Sequence, residues 1–162
     1  MSFVKNSLGV FSTRILVIFI SLVSSIIVTR MLGASNRGAL EVLRLVPYLL
    51  VSFGNLGIGN ANLYFIAKNR CSLNTIATNS LTLSLLLGGV LILIAYSSLW
   101  VLRNSLFENI PIYYVHFVFS IIPFLLYQKF IQYMLLGREQ IRLRNILVLF
   151  PAISNFALVI LL

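Results

Sequence analysis

The chain has 162 residues, of which 60% are hydrophobic and only 9% are charged. Soluble domains are about half apolar and about a quarter charged, and a soluble core of this size could not bury so large an apolar fraction. The apolar residues also occur in several runs of about 20, the length that crosses a bilayer. The composition therefore predicts an all-α integral membrane protein with membrane lipid as a partner.

The formal net charge of +9 comes from 12 lysines and arginines against three acidic residues. In a soluble protein this balance would suggest nucleic acid, but here most charges flank apolar runs, where they set topology. We expect no nucleic-acid partner.

Cys71 is the only cysteine and His116 the only histidine, so the chain cannot form an internal disulfide or a multi-cysteine or multi-histidine metal site. We expect no cofactor.

We predict about five transmembrane helices in a single transmembrane region, residues 1–162. Their approximate bounds are 10–29, 43–67, 76–101, 112–136 and 145–162. The first apolar run follows a basic start, as in a signal peptide. It is longer than a signal peptide's apolar region, lacks a small-residue cleavage site and precedes further spans, so we interpret it as a retained helix.

Glycine and proline interrupt these helices. The second contains SFGNLGIGNAN at 52–62, and small residues permit close helix packing in membranes. Pro47, Pro123 and Pro151 lie inside apolar runs. Neighbouring helices can satisfy the backbone groups that a proline frees, so we predict kinks rather than helix ends.

Basic residues in alternate loops predict the orientation. Six lie on the N-terminal side and after the second and fourth helices: Lys5, Lys68, Arg70, Arg138, Arg142 and Arg144. Four lie on the opposite side: Arg30, Arg37, Arg44 and Arg103. The excess predicts a multi-pass protein with its N-terminus in the cytoplasm.

The sequence ends within an apolar run, 156–162, that has no polar flank or aromatic anchor. Completed spans usually carry such flanks. We therefore expect a truncated chain, the N-terminal fragment of a longer protein in which a sixth helix and a second half follow. A natural five-helix protein is the alternative.

The three glutamates lie at or beyond the predicted helix ends. No carboxylate is therefore available at depth for acid–base catalysis or proton-coupled transport. The sequence also lacks a glycine-rich phosphate loop and a nucleophile elbow. We expect no catalytic residues and no enzyme.

Two basic residues, Arg14 and Lys129, lie inside the predicted helices, where a cation costs about 2.5–3.5 kcal/mol at the bilayer centre and less near the interface. Arg14 is close to the cytoplasmic end, so snorkelling to the headgroups and a cavity role stay open as alternatives. Lys129 is deeper, and Gln128 and Gln132 fall within about 100° of it around the helix. This grouping favours a substrate-binding cavity.

Asn60 and Asn62 of the second helix are further candidates for substrate binding. Amides are costly in lipid unless they find partners. Hydrogen bonding between helices is the first interpretation, and contact with a ligand is the second.

Three segments carry a family resemblance: TRMLGASNRGALE, LRLVPYLLVSFGNLGIGNANLYFIA and QYMLLGREQIRLRN. They resemble the N-terminal part of the polysaccharide transport family, the Wzx-type O-antigen and oligosaccharide flippases, in the multidrug, oligosaccharidyl-lipid and polysaccharide exporter superfamily. The most specific parts are Thr29-Arg30-x-Leu32-Gly33 with Arg37-Gly38, and Gly57-x-Gly59-x-Ala61. The resemblance covers essentially the whole chain.

The resemblance implies about 12 to 14 helices in two lobes around a cavity, of which this chain is most of the first lobe. It implies a transporter that flips a lipid-diphosphate-linked oligosaccharide across the cytoplasmic (inner) membrane for surface polysaccharide synthesis, with polysaccharide-assembly proteins as further partners. Basic side chains would suit the diphosphate, and Asn and Gln would suit the sugars. Arg30 and Arg37 match the family's basic loop and would guard an outer gate or anchor a helix end.

Two other hypotheses stay open. A cation-coupled multidrug exporter of the same superfamily would be favoured by an Asp or Glu within the predicted spans, and none is present. A non-transporting scaffold or accessory subunit would be complete at five helices. An in-frame continuation with further apolar runs would eliminate the scaffold.

Overall fold

The structure is a computed structural model and describes residues 2–107 and 110–161. Apart from short turns these residues are helical, and no strand occurs among them. The all-α prediction is confirmed for this part of the chain. In order, the helices are α1 Ser2–Gly54, α2 Ile58–Ala67, α3 Leu73–Leu106, α4 Ile112–Ser120, α5 Ile122–Gly137 and α6 Ile141–Leu161.

Three described segments are long and apolar enough to cross a bilayer: Leu8–Gly33, Leu73–Trp100 and Ile112–Gly137. A fourth span would consist of Asn36–Gly54 and Ile58–Ala67, two helical segments that meet at 54°. The chain thus has several helices of membrane length, and the total of five stays a prediction. The predicted fifth helix corresponds to α6, and its last residue, Leu162, lies outside the described residues.

Helix α1 contains the first predicted helix and part of the second, joined at Gly33. The predicted bounds left residues 30–42 between the first two helices, but inside α1 only Gly33 leaves the helical region, with φ 74° and ψ 174°. An L side chain rarely adopts such a φ, whereas glycine does so without a steric cost. A single glycine therefore makes the bend for which a longer connection was expected.

The second predicted helix is broken between α1 and α2. Leu56 and Gly57 have φ angles of 44° and 78°, which interrupt the helical hydrogen bonds. Asn55 Oδ1 accepts a hydrogen bond from the Gly59 backbone N–H at 3.2 Å, so a side chain satisfies one donor of the first turn of α2. Pro47 lies inside α1, where Gly33 is the residue with non-helical angles. The second predicted helix is therefore interrupted at Leu56 and Gly57 and not at Pro47.

Helices α4 and α5 form one membrane-length segment that is interrupted at Ile121. Pro123 has no backbone N–H and cannot donate the hydrogen bond that a continuous helix would give to Phe119 O. The Ile121 N–H donates to Val118 O at 3.3 Å, in a tighter turn than that of an α-helix. Pro123 thus accompanies an interruption of the segment, not its end, as predicted.

The described residues form two compact units. Residues 1–37 with 138–162 make one unit, in which the Asn145 side-chain amide of α6 donates to Gly9 O of α1 at 3.3 Å. Residues Gly38–Gly137 make the other unit. It contains a large cluster of buried apolar side chains, which includes Ala95 and Phe119, and a small cluster of Ile66, Ile76 and Met134.

In the unit Gly38–Gly137, helix α5 packs against both α2 and α3. Its packed face is a stripe of side chains with no solvent exposure: Ile122, Leu126 and Phe130. Small residues let the helices approach closely. A Cβ atom at Gly88 of α3 would lie only 2.7 Å from Pro123 Cα. This contact fixes the register between α3 and α5.

Candidate functional site

Helix α5 carries the densest group of predicted site residues, Gln128, Lys129 and Gln132. At about 100° per residue, Lys129 lies about 60° from Leu126, which is at the centre of the buried stripe. Gln132 and Gln128 lie about 120° and 160° from Leu126. All three side chains are half-buried. They form a polar patch beside the packed face, here called the polar face of α5, and apolar Leu125 and Leu136 lie on the same side of the helix.

Lys129 is the only cation on α5. Within the described part of the chain it has no hydrogen-bond or ion-pair partner. A cation in an apolar span is stabilised by a counter-charge, by water or by headgroups that its stem can reach. The Lys129 ammonium is therefore available to an anionic group that does not belong to the described residues.

The two predicted asparagines of α2 have different surroundings. Asn62 is buried, and its Nδ2 donates to Ser80 Oγ of α3 at 2.8 Å. Asn60 is exposed and lies about 160° from Asn62 around the helix. The structure therefore gives Asn62 a bond between helices, the first of the two interpretations, and leaves Asn60 outside the packed face.

Arg37, one of the two gate candidates, is half-buried and folds back along its own helix. Its guanidinium donates to the Ser25 carbonyl, to Ser25 Oγ at 2.6 Å and to Thr29 Oγ1. Both acceptor residues precede the bend at Gly33, so Arg37 connects the two sides of that bend. This geometry fits helix anchoring. Arg30, the other candidate, is exposed.

The predicted residues are divided between the two units. Arg14 is exposed on α1 and belongs, with both gate candidates, to the unit of residues 1–37 and 138–162. The polar face of α5 and the two α2 asparagines belong to the unit Gly38–Gly137, where α2 and α5 are in contact. The structure thus groups the α5 residues and places the asparagines on a neighbouring helix.

Two polar features were not predicted from the sequence. Ser80 and Ser84 are each 1% exposed, and with Gly88 they place a small residue at every fourth position of α3. That spacing is visible in the sequence and is typical of close helix packing. Tyr96 OH and His116 Nδ1 are 2.8 Å apart and join α3 to α4. No spacing rule identifies a pair on separate helices.

Among the described residues, no group of three or more His, Cys, Asp or Glu side chains could hold a metal ion. Glu108 and the side chains of Lys5 and Arg103 lie outside the described part of the chain.

Comparison of the chain with protein-family models, with curated proteins and with solved structures found no match. A functional proposal therefore depends on the polar face of α5 and on the motif resemblance.

Proposed function

We propose that this chain forms part of a membrane transporter that flips a lipid-diphosphate-linked oligosaccharide across the cytoplasmic membrane, for the synthesis of surface polysaccharide such as O-antigen. The observation that carries the proposal is the polar face of α5. There, a half-buried cation with no partner among the described residues is accompanied by two glutamines in a membrane-length segment. The segments that resemble the Wzx-type flippases supply the substrate class.

The polar face of α5 matches the two chemical parts of such a substrate. The Lys129 ammonium can donate three hydrogen bonds and offset the charge of a diphosphate. The amides of Gln128 and Gln132 both donate and accept, as sugar hydroxyls do. In this proposal Asn60 is an additional contact for the headgroup, and Arg30 and Arg37 act at the outer end of their own helix.

Irregular helices support a carrier over a static scaffold. Transporters commonly build their substrate sites near discontinuous membrane helices, where the backbone can take more than one arrangement. The break between Asn36–Gly54 and Ile58–Ala67 bends this chain by 54°. The bend at Gly33 is a second such feature.

The acidic residues favour a polysaccharide flippase over a cation-coupled drug exporter. Coupling to protons or sodium ions usually requires a carboxylate within the membrane. The segments Leu8–Gly33, Leu73–Trp100 and Ile112–Gly137 contain no Asp or Glu, and the broken span of Asn36–Gly54 and Ile58–Ala67 contains one, Glu41, which is exposed and close to its start. Within these segments, basic and amide side chains are the ones able to bind a polar substrate strongly.

Removal of the Lys129 charge tests the proposal in cells. The protein, expressed from its complete gene, should restore surface polysaccharide to a flippase-deficient cell with a matching glycan pathway. Lys129→Ala should reduce this export because the diphosphate loses its cation, while Lys129→Arg should retain more of it. Lectin staining measures the surface glycan, and immunoblotting of membranes measures the amount of protein.

Lys68→Ala is the matched control, because Lys68 belongs to the same unit but is exposed at the end of α2. This variant should export normally. If the correctly inserted wild-type protein restores no polysaccharide, the flippase proposal is wrong. If Lys129→Ala exports as well as Lys68→Ala, the polar face of α5 is not the substrate site.

A further inference from the structure

Helix α3 is longer than a bilayer requires. Its 34 residues, Leu73–Leu106, extend about 51 Å at about 1.5 Å per residue, whereas the hydrocarbon core is about 30 Å thick. Part of α3 must therefore lie outside the hydrocarbon. The chemistry of its exposed side chains indicates which part.

The exposed side chains of α3 change character twice along the helix. From 74 to 82 they are polar apart from Leu81: Asn74, Thr75, Thr78, Asn79 and Thr82. From 83 to 94 they are all apolar: Leu83, Leu85, Leu86, Val90, Leu93 and Ile94. Beyond them the exposed side chains are polar or amphipathic again: Tyr96, Ser97 and Trp100. We call residues 83–94 the apolar band.

The packing of α3 against α5 shows which of their residues lie at the same height. The two helices are antiparallel, because Ile76 near the start of α3 clusters with Met134 near the end of α5. Gly88, further along α3, faces Pro123 at the start of α5. Thr82 precedes Gly88 by six residues, and Lys129 follows Pro123 by six residues. Lys129 therefore lies at the height of Thr82, about 9 Å along the helices from the glycine–proline contact. This height is the edge of the apolar band.

Amphipathic aromatic side chains lie beyond the opposite end of the apolar band, which ends at Ile94. Trp100 is 88% exposed, and Tyr113 at the start of α4 is 60% exposed. Tyr96 and His116 are hydrogen-bonded to each other in the same region. Tryptophan and tyrosine concentrate at membrane–water interfaces because each has an apolar ring and a polar atom. This end of α3 and α4 has the composition of such an interface.

We propose that the bilayer covers the unit Gly38–Gly137 between the height of Thr82 and that of Trp100, with the headgroups of one leaflet at Trp100 and Tyr113 and those of the other at Lys129. Trp100 follows Thr82 by eighteen residues, or about 27 Å along α3, which agrees with a hydrocarbon thickness of about 30 Å. The lysine stem is long enough to bring its ammonium to the lipid phosphates.

The Lys129 boundary belongs to the cytoplasmic leaflet. The connection between α2 and α3 lies at this end and carries two exposed cations, Lys68 and Arg70, and short cytoplasmic loops are enriched in such residues. The inference goes beyond the proposed function, because it holds whatever the protein transports. If the protein is a flippase, it places Lys129 where the diphosphate of an inner-leaflet substrate would lie.

Fluorescence quenching of Trp100 tests the aromatic boundary, because Trp100 is the only tryptophan of the chain. The 162-residue chain would be reconstituted into phosphatidylcholine vesicles in which the acyl chains are brominated at different depths. Lipids brominated near the headgroup should quench Trp100 most. Strongest quenching by lipids brominated near the chain ends, or quenching by none of them, would overturn this boundary.

Leu93→Trp in a Trp100→Phe background is the matched control. Leu93 is 70% exposed in the apolar band, so its replacement should be quenched most by bromines near the chain ends. The two tryptophan positions should therefore show a shift in the depth of strongest quenching. Identical depth profiles would overturn the proposal.

Thiol labelling tests the Lys129 boundary. In a Cys71→Ser background, Thr82→Cys should react with a water-soluble maleimide, whereas Leu86→Cys, one turn further into the band, should lose this labelling. Leu86 is 64% exposed, so burial in protein would not explain its protection. Labelling of both positions would place water against the apolar band, and labelling of neither would move the boundary away from Lys129. Either result overturns the proposal.

Discussion

Polar residues within the spans fall into those with a partner on the chain and those without one. Asn62 is hydrogen-bonded to Ser80, and Arg37 to Ser25 and Thr29. Lys129 has no such partner among the described residues. The sequence shows each of them only as a polar residue near an apolar run. A side chain that is hydrogen-bonded to another helix, or across a bend, has a structural role. A side chain without such a partner is available to a ligand.

The Asn62–Ser80 bond should contribute measurably to stability. We expect Asn62→Ala to lower the free energy of unfolding by about 1 kcal/mol, because a buried hydroxyl loses its partner. Unfolding in mixed detergent micelles, followed by circular dichroism, measures this change. Asn60→Ala is the control and should have little effect, since Asn60 is exposed. Equal losses for both variants would contradict the structural role of Asn62.

At the scale of helices, the apolar runs predicted where spans lie more reliably than where they break. The run predicted at 112–136 agrees closely with the segment Ile112–Gly137, because span length is set by bilayer thickness. The interruption near Pro123 could be predicted, because the absence of a proline N–H removes a helical hydrogen bond whatever the rest of the fold is. The break at Leu56 was not predicted, because leucine has no preference for a positive φ and packing against other helices decides such a position.

Two adjacent glycines of α3 allow a direct test of helix packing. A Cβ atom at Gly88 would lie 2.7 Å from the backbone of Pro123, whereas one at Gly89 would meet nothing within 4 Å. We expect Gly88→Ala to destabilise the protein by about 1–3 kcal/mol through overpacking. Gly89→Ala should be neutral or stabilise it by up to about 1 kcal/mol, because alanine favours a helix.

Thermal unfolding of both variants in detergent compares the two glycines under the same conditions. The two substitutions add the same methyl group one residue apart, so differences in helix propensity cancel between them. A Gly89→Ala variant that is as unstable as Gly88→Ala would contradict the packing of α3 against α5.

At the scale of the whole molecule, composition was sufficient for the class of protein but not for the depth of its residues. The sequence alone placed Lys129 inside the predicted span 112–136 and deeper than Arg14. The register of α3 and α5 places it at the edge of the apolar band, because the exposed face of α3 becomes polar at Thr82. Depth depends on which side chains of neighbouring helices lie at the same height, and a single run of sequence does not contain that information.

This depth joins the chemistry of Lys129 to the proposed transport. A lipid-linked diphosphate in the inner leaflet lies among the headgroups, where a lysine on a long stem can contact it. The neighbouring amides of Gln128 and Gln132 are then on the same helix as the cation that recognises the substrate. The flippase proposal therefore requires binding at the cytoplasmic boundary before the headgroup crosses the membrane.

Lipid flipping by the purified protein tests this account most directly. The protein, expressed from its complete gene, would be reconstituted in vesicles that contain a lipid-diphosphate-linked oligosaccharide with a fluorescent sugar, and a membrane-impermeant quencher would report transfer between leaflets. We predict transfer faster than in protein-free vesicles. Transfer should be slowed about tenfold by Lys129→Ala, as the loss of about 1.4 kcal/mol of binding implies. Transfer no faster than in protein-free vesicles would contradict the proposed function.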